Sequence, residues 1–418
     1  MHHLFWLSCK RFLILCWHSL TRSPDGTAPL TVRRVLVMLL FLPVFALVQG
    51  LHWLGFLLDD ILFRGWRRVE IREPLFVLGV PRSGTTSLHQ VLAQDPNLTT
   101  FRTWECLFAP SVTERRCWLA LAALDRRLGR PAARLLGWLE RRIFAGLDAV
   151  HPMGLMTPEE DYFALMPILS CFILALPFPA FTHIWRVGAG DRDLAADERR
   201  RLLDFYADCL RRHLYVHGPE RRLLSKNAAF APLAMGLAAR FPDARFIVCL
   251  RDPQETVPSQ LSSIRGGLAF FGVPADSAPV RARLLDQLAF YYENLDRLRC
   301  ALPPERHAAI GMPDLRGGLA ATLTGVYGQL RLPVVPAFAA ALAAADGQAR
   351  GYRSGHRYSL TEFGLTPAAI RNRFAGAYAH PALATGVSVA AARPLERAPA
   401  APPPLSPPAL SSAGVRGC

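Results

Sequence analysis

The chain has 418 residues, 51% of them apolar, with 48 Lys plus Arg against 33 Asp plus Glu and a net charge of +15. That length supplies ample core for one large domain or two ordinary ones. The positive excess favours anionic partners, but no basic run is interleaved with aromatics and no zinc-finger spacing or RNA-binding aromatic motif occurs, so nucleic acid is excluded as the partner. The nine cysteines, at positions 9, 16, 106, 117, 171, 209, 249, 300 and 418, form no C-x-x-C pair. They read as reduced thiols, neither a disulfide framework nor a metal site.

In chain order, a short apolar stretch, Phe12–Trp17, follows Lys10-Arg11, and no small-residue cleavage site marks a signal peptide. Residues 35–58 then carry no Asp, Glu, Lys or Arg over 24 positions, which is long enough to cross a bilayer core as one helix. Arg33-Arg34 precede this helix and Asp59-Asp60 follow it, while His52, Trp53 and Trp66 suit an interface. Pro43 and Gly50 leave three readings open: one span, a helix or hairpin in one leaflet, or a buried helix. Residues 1–68 are expected to be membrane-associated, 69–390 to form the folded body, and the Ala/Pro tail 391–418 to be unable to bury enough surface to fold.

The body reads as α/β. Leu75–Gly79 predicts a buried strand, 85–94 a helix, 114–147 a helical run, 196–216 a helix, Leu223-Leu224 the start of a strand, 229–240 a helix, Phe246–Leu250 a strand and 280–300 a long helix. Alternating strands and helices predict a parallel sheet covered by helices, with ligands beyond the carboxyl ends of the strands. Residues 162–181 form a second uncharged stretch, in which Pro167, Pro177 and Pro179 oppose a straight span and favour a hydrophobic flap or substrate-side helix pair.

Val80-Pro81-Arg82-Ser83-Gly84-Thr85-Thr86-Ser87 follows the first strand and opens a helix. Backbone N–H groups of such a loop and the helix N-terminus converge on an anion. Gly84 permits close backbone approach; Ser83, Thr85, Thr86 and Ser87 add hydroxyls and Arg82 a fixed charge. The nucleotide-triphosphatase lysine is absent, so the loop suits a smaller anionic group.

This loop resembles the 5′-phosphosulfate loop of sulfotransferases that use 3′-phosphoadenosine-5′-phosphosulfate (PAPS), in its arginine-bearing bacterial and protein-tyrosine form. Arg251-Asp252-Pro253, leaving the strand FIVCL, with Ser259 beyond it, resembles the family's 3′-phosphate site. Ser225-Lys226-Asn227, Pro158-Glu159-Glu160-Asp161 and the segment Tyr352–Thr366 extend the resemblance over about 72–380. Ala228, where relatives carry proline, and the weakened Gly311–Leu315 segment depart from it. The resemblance implies a three-layer fold of the P-loop type with a central parallel sheet. It also implies PAPS as co-substrate without a metal, and sulfuryl transfer to a hydroxyl or amine on a small-molecule or glycolipid acceptor. A domain using a cytosolic donor faces the cytosol; a eukaryotic Golgi protein would face the lumen.

Arg82, Ser83, Gly84, Thr85, Thr86, Ser87, Arg251, Ser259 and Arg353 are the expected donor-binding residues. Arg82 and Lys226 are expected to meet charge on the sulfuryl and bridging oxygens. Glu105 is the first candidate for the base that takes the acceptor's proton, with Glu159, Glu160 and Asp161 in reserve. His356, His151 and His213 rank lower. Two other readings stand beside this one. A kinase-like transferase on the same fold lacks its phosphate lysine, and a non-catalytic nucleotide-binding membrane protein would have no need of Arg82, Lys226, Arg251, Ser259 and Glu105 together.

Overall fold

The structure, a computed structural model, describes residues 2–23, 25–144, 154–351 and 359–380 together with Leu383. At its centre lie five strands: β1 (Leu75–Gly79), β2 (Leu98–Thr99), β3 (Arg222–Asn227), β4 (Arg245–Leu250) and β5 (His307–Gly311). All pairings are parallel and the spatial order is β2-β3-β1-β4-β5. The strand LFVLG is apolar throughout because helices cover both faces of a parallel sheet and bury every residue of it. Phe76, Leu78, Phe246 and Val248 join one apolar cluster, and Leu75, Val77, Ile247 and Cys249 join the other. The result is the expected three-layer α/β fold. The chain runs to one side of β1 for β2 and β3 and to the other for β4 and β5, so the carboxyl end of β1 is a topological switch point.

Before the sheet come α1 (His2–Leu20) and α2 (Val32–Leu62). By length and composition α2 is apolar enough to cross a membrane. One face of it is buried on the body: Met38, Leu42, Phe45 and Phe56 belong to the same apolar cluster as Phe76 and Leu78. Polar side chains pin that face. Arg34 donates to the carbonyls of Phe271 (2.8 Å) and Pro177 (3.0 Å), and the Trp53 indole donates to that of Pro167 (3.1 Å). Asp59 accepts from the backbone of Val112 and Thr113 and from Arg212 Nε at 2.9 Å. The Arg212 guanidinium lies 3.7 Å from the centroid of the Trp66 ring.

The helices expected at 85–94, 196–216 and 280–300 are α3 (Thr85–Leu92), Ala196–His217 and Ala278–Ala301. The run 114–147 is divided into α5 (Val112–Arg127) and α6 (Pro131–Phe144), after the short α4 (Thr103–Phe108). Gly129 and Arg130 take left-handed backbone there, ahead of Pro131. Residues 229–240 begin as a 3-10 turn, Ala228–Leu233, because Pro232 has no N–H to continue an α-helical ladder. The stretch 162–181 is two 3-10 turns, Asp161–Ile168 and Phe172–Ala175, packed beneath α1 and α2. Arg353, His356, His151 and the tail 391–418 lie outside the described residues.

Asp59 and Arg212 are both fully buried, so removing one strands the other's charge. Arg212→Ala is expected to lower unfolding stability by roughly 3–5 kcal/mol, read by urea denaturation; a loss under ~1 kcal/mol would show that this pair does not anchor α2.

Candidate active site

The first side chains of the site come from the turn between β1 and α3. Two residues there have left-handed backbone: Gly84 with φ +83° and Arg82 with φ +67°. The positive φ favours glycine at 84, and a Cβ there would lie 2.9 Å from Met312 Sδ and 3.0 Å from Leu315, side chains that would have to give way. Arg82 holds a conformation unfavourable for a side-chain-bearing residue. Its carbonyl accepts from Arg251 Nη1 at 2.8 Å, and its own Nε donates to Ser259 Oγ at 3.3 Å. The Ser83 hydroxyl turns back to the Val80 carbonyl at 2.7 Å.

Arg251 follows β4 directly, and Ser259 lies on the helix Pro253–Phe270, which Asp252 caps by accepting from Gln254 N. Glu255 pairs with Arg251 at 2.7 Å, and the Tyr292 hydroxyl donates to the Arg251 carbonyl at 2.6 Å. Two motifs far apart in sequence thus meet within hydrogen-bond distance. Thr85 is buried, Thr86 half-buried and Ser87 exposed; the Thr86 hydroxyl accepts from Lys226.

Lys226 occupies β3 opposite Val77 of β1. Its ammonium donates to Thr86 Oγ1 at 3.3 Å and to Glu160 Oε1 at 2.6 Å. The Glu160 side chain retains 20% exposure, whereas Glu159 and Asp161 are buried. Asp161 accepts from the Tyr206 hydroxyl (2.6 Å), the Ser225 hydroxyl (2.9 Å) and the Asn227 amide. Burial pushes the Asp161 carboxyl up to about 6, against those three hydrogen bonds. Ser225 and Asn227 are two apart on one strand face, so this network fixes the turn that presents Glu160 to Lys226. Tyr162 and Tyr291 are fully buried near that acid, their hydroxyls pushed up by burial and by its charge.

Glu105 occupies a different environment. It is fully buried; Oε2 accepts from the backbone of Arg102 at 2.8 Å, closing the first turn of α4. Oε1 meets His217 Nε2 at 2.5 Å, Arg115 at 3.7 Å and His213 at 3.8 Å. Burial opposes its ionisation, yet the two imidazoles and the guanidinium outweigh this and hold its pKa at about 2. Burial drives His213 well below the imidazole range although Glu105 pulls it up. Arg115 carries a permanent charge opposite Glu105. Glu105, His213 and His217 place ligand-type atoms within 4.8 Å of one another, but Arg115 already supplies the positive charge that a cation there would bring.

A sulfotransferase family model matches residues 74–336, and the chain belongs to that family. The family transfers sulfuryl groups from a sulfate donor. In structure the chain is similar to the sulfotransferase STF1 of Mycobacterium tuberculosis H37Rv, with TM-score 0.61 and 20% identity over 90% of this chain and 98% of that one. It is also similar to the sulfotransferase STF9 of Mycobacterium avium, with TM-score 0.66 and 18% identity over 91% and 96%. These likenesses carry the fold. No curated protein matches the chain by sequence.

The depressed pKa of Glu105 contributes stability that is complete above its ordinary value of 4.5 and is lost as pH falls toward 2. Glu105→Gln is expected to lose roughly 3–5 kcal/mol at pH 7, with the gap from the unsubstituted protein narrowing on acidification. Urea titrations from pH 7 to pH 3 check this. An unchanged stability at pH 7 would mean that Glu105 is not a structural anchor.

Proposed function

We propose that this chain transfers the sulfuryl group of PAPS to the hydroxyl of an amphiphilic acceptor, with Glu160 as general base. One observation carries the reading: the Lys226 ammonium sits between the Thr86 hydroxyl of the anion loop and the Glu160 carboxylate. It therefore joins the place for the donor's sulfuryl oxygens to the acid that can reach an acceptor.

Arg82, Gly84 and the start of α3 would hold the 5′-phosphosulfate through backbone N–H groups and guanidinium charge. Arg251 and Ser259 would hold the 3′-phosphate, the guanidinium exchanging Glu255 for phosphate oxygens. The acceptor oxygen attacks sulfur in line; the new O–S bond forms as the bond from sulfur to the 5′-phosphate oxygen breaks. The acceptor's proton passes to Glu160, and adenosine 3′,5′-bisphosphate leaves with the bond's electron pair. Arg82 and Lys226 offset the charge that grows on the departing oxygen. Of the acids expected as bases, Glu160 alone combines partial exposure with contact to Lys226, while Glu105 is buried and committed to Arg115, His213 and His217. The aromatic neighbours Tyr162 and Tyr291 and the apolar segment that follows Glu160 support an amphiphilic acceptor, such as a glycolipid hydroxyl, over a free sugar.

Calorimetry with adenosine 3′,5′-bisphosphate is expected to show micromolar binding, weakened at least about tenfold by Arg82→Ala or Arg251→Ala, and no binding of ATP. Glu160→Gln should keep that affinity while losing roughly 10²–10⁴-fold in transfer of label from PAPS to a lipid extract. Full transfer by Glu160→Gln would remove it as the base. Absence of bisphosphate binding by folded protein would remove the donor assignment.

A further inference from the structure

The apolar residues of α2 divide into two faces with different partners. The inward face (Met38, Leu42, Phe45, Phe56) is spent on the body, and Arg34, Trp53 and Asp59 tie it there near the beginning, middle and end of the helix. The opposite face carries Leu36, Leu40, Val44, Leu47, Leu51 and Leu54, each at least half exposed. The spacing of three or four residues keeps them in one line. From Leu36 to Leu54 the exposed line runs roughly 27 Å at 1.5 Å per residue, a contiguous apolar stripe of the kind that marks an interaction surface. Next to it, α5 begins against α2, where a Cβ on Gly55 would strike Ser111. It then presents exposed Trp118, Leu121 and Leu124.

The charges around this line indicate what covers it. Arg33 at the start of α2 and Arg64 and Arg68 just past its end are exposed, while Asp59 pairs with Arg212 and Asp60 with Arg67, so both ends keep a basic excess. A helix crossing a bilayer sets its two ends in opposite headgroup layers, and the cytoplasmic side alone is enriched in basic residues. Basic residues at both ends suit a helix whose ends share one anionic headgroup layer. Exposed Arg126, Arg127, Arg130 and Arg134 on α5, α6 and their junction add to the same charge. A crossing would also draw the buried Arg34 and Asp59 away from their partners on the body.

We infer that α2 lies in the plane of one leaflet of an anionic membrane, its outer face among the acyl chains and its inner face remaining on the catalytic body. The occupant of the exposed line is lipid, and no part of α2 crosses the bilayer. This placement does not depend on PAPS or on the identity of the acceptor.

The test uses the full chain added to preformed, sealed vesicles of phosphatidylcholine with one-third phosphatidylglycerol. The protein should float with these vesicles and bind at least about tenfold more weakly to pure phosphatidylcholine at the same salt. Leu40→Glu, Leu47→Glu and Leu54→Glu together should abolish flotation and leave the circular-dichroism spectrum unchanged. A second measurement leaves the outer face intact. Arg33→Cys and Arg64→Cys, each in a Cys117→Ser/Cys300→Ser/Cys418→Ser background, are treated with an impermeant maleimide from outside the vesicles. Labelling of both ends above background is the expected result. Protection of either end would establish a span and overturn the inference. So would flotation undiminished by the triple substitution, or a stable dimer that does not float and that the substitution dissociates.

Discussion

The hydrogen bond from Arg251 to the Arg82 carbonyl ties the turn after β1 to the turn after β4. The first turn is strained, with Arg82 and Gly84 both left-handed. Such backbone persists only where its surroundings over-determine it. Here Arg251 holds it from one side and Met312 and Leu315 close it from another. Tyr292, reaching from the helix Ala278–Ala301, holds the Arg251 carbonyl in turn. The turn after β1 is therefore a product of β1, β4 and β5 together.

Environment assigns different work to carboxylates that sequence presents as equals. Glu105 is ionised by its partners and serves as a buried counter-charge for Arg115. Asp161 is pushed the other way by burial and organises Tyr206, Ser225 and Asn227. Glu160, between two buried neighbours, is turned toward Lys226 and partly open. An acid meant to take a proton from an incoming molecule has to be reachable, and that requirement separates Glu160 from the other two.

The N-terminal helices belong to the same packing unit as the site. Arg11 donates to the Ile168 carbonyl, Trp53 to Pro167 and Arg34 to Pro177, all within the segment that continues from Glu160 and Asp161. A membrane under α2 would thus lie one layer from the residues facing the acceptor. This gives a physical reason for an apolar segment to follow directly on the acidic turn.

The sequence alone determined the elements with a strong local signature. An all-apolar run reads as a buried parallel strand, and PRSGTT after it reads as an anion loop on a helix N-terminus, because strand burial and backbone N–H convergence are local consequences of residue order. Arg251 and Ser259 were legible as polar residues beyond a strand, and folding brings both to Arg82. The two-residue β2 and the Ala/Gly-containing β5 were not, since weak strand formers become strands only against a neighbour. Tertiary structure decided which acid is buried and paired and which stays open, because Arg115, His213 and His217 reach Glu105 only through folding. It also decided which face of α2 is covered. Hydropathy sums a helix over all its faces, whereas burial is set one face at a time by whatever packs against it.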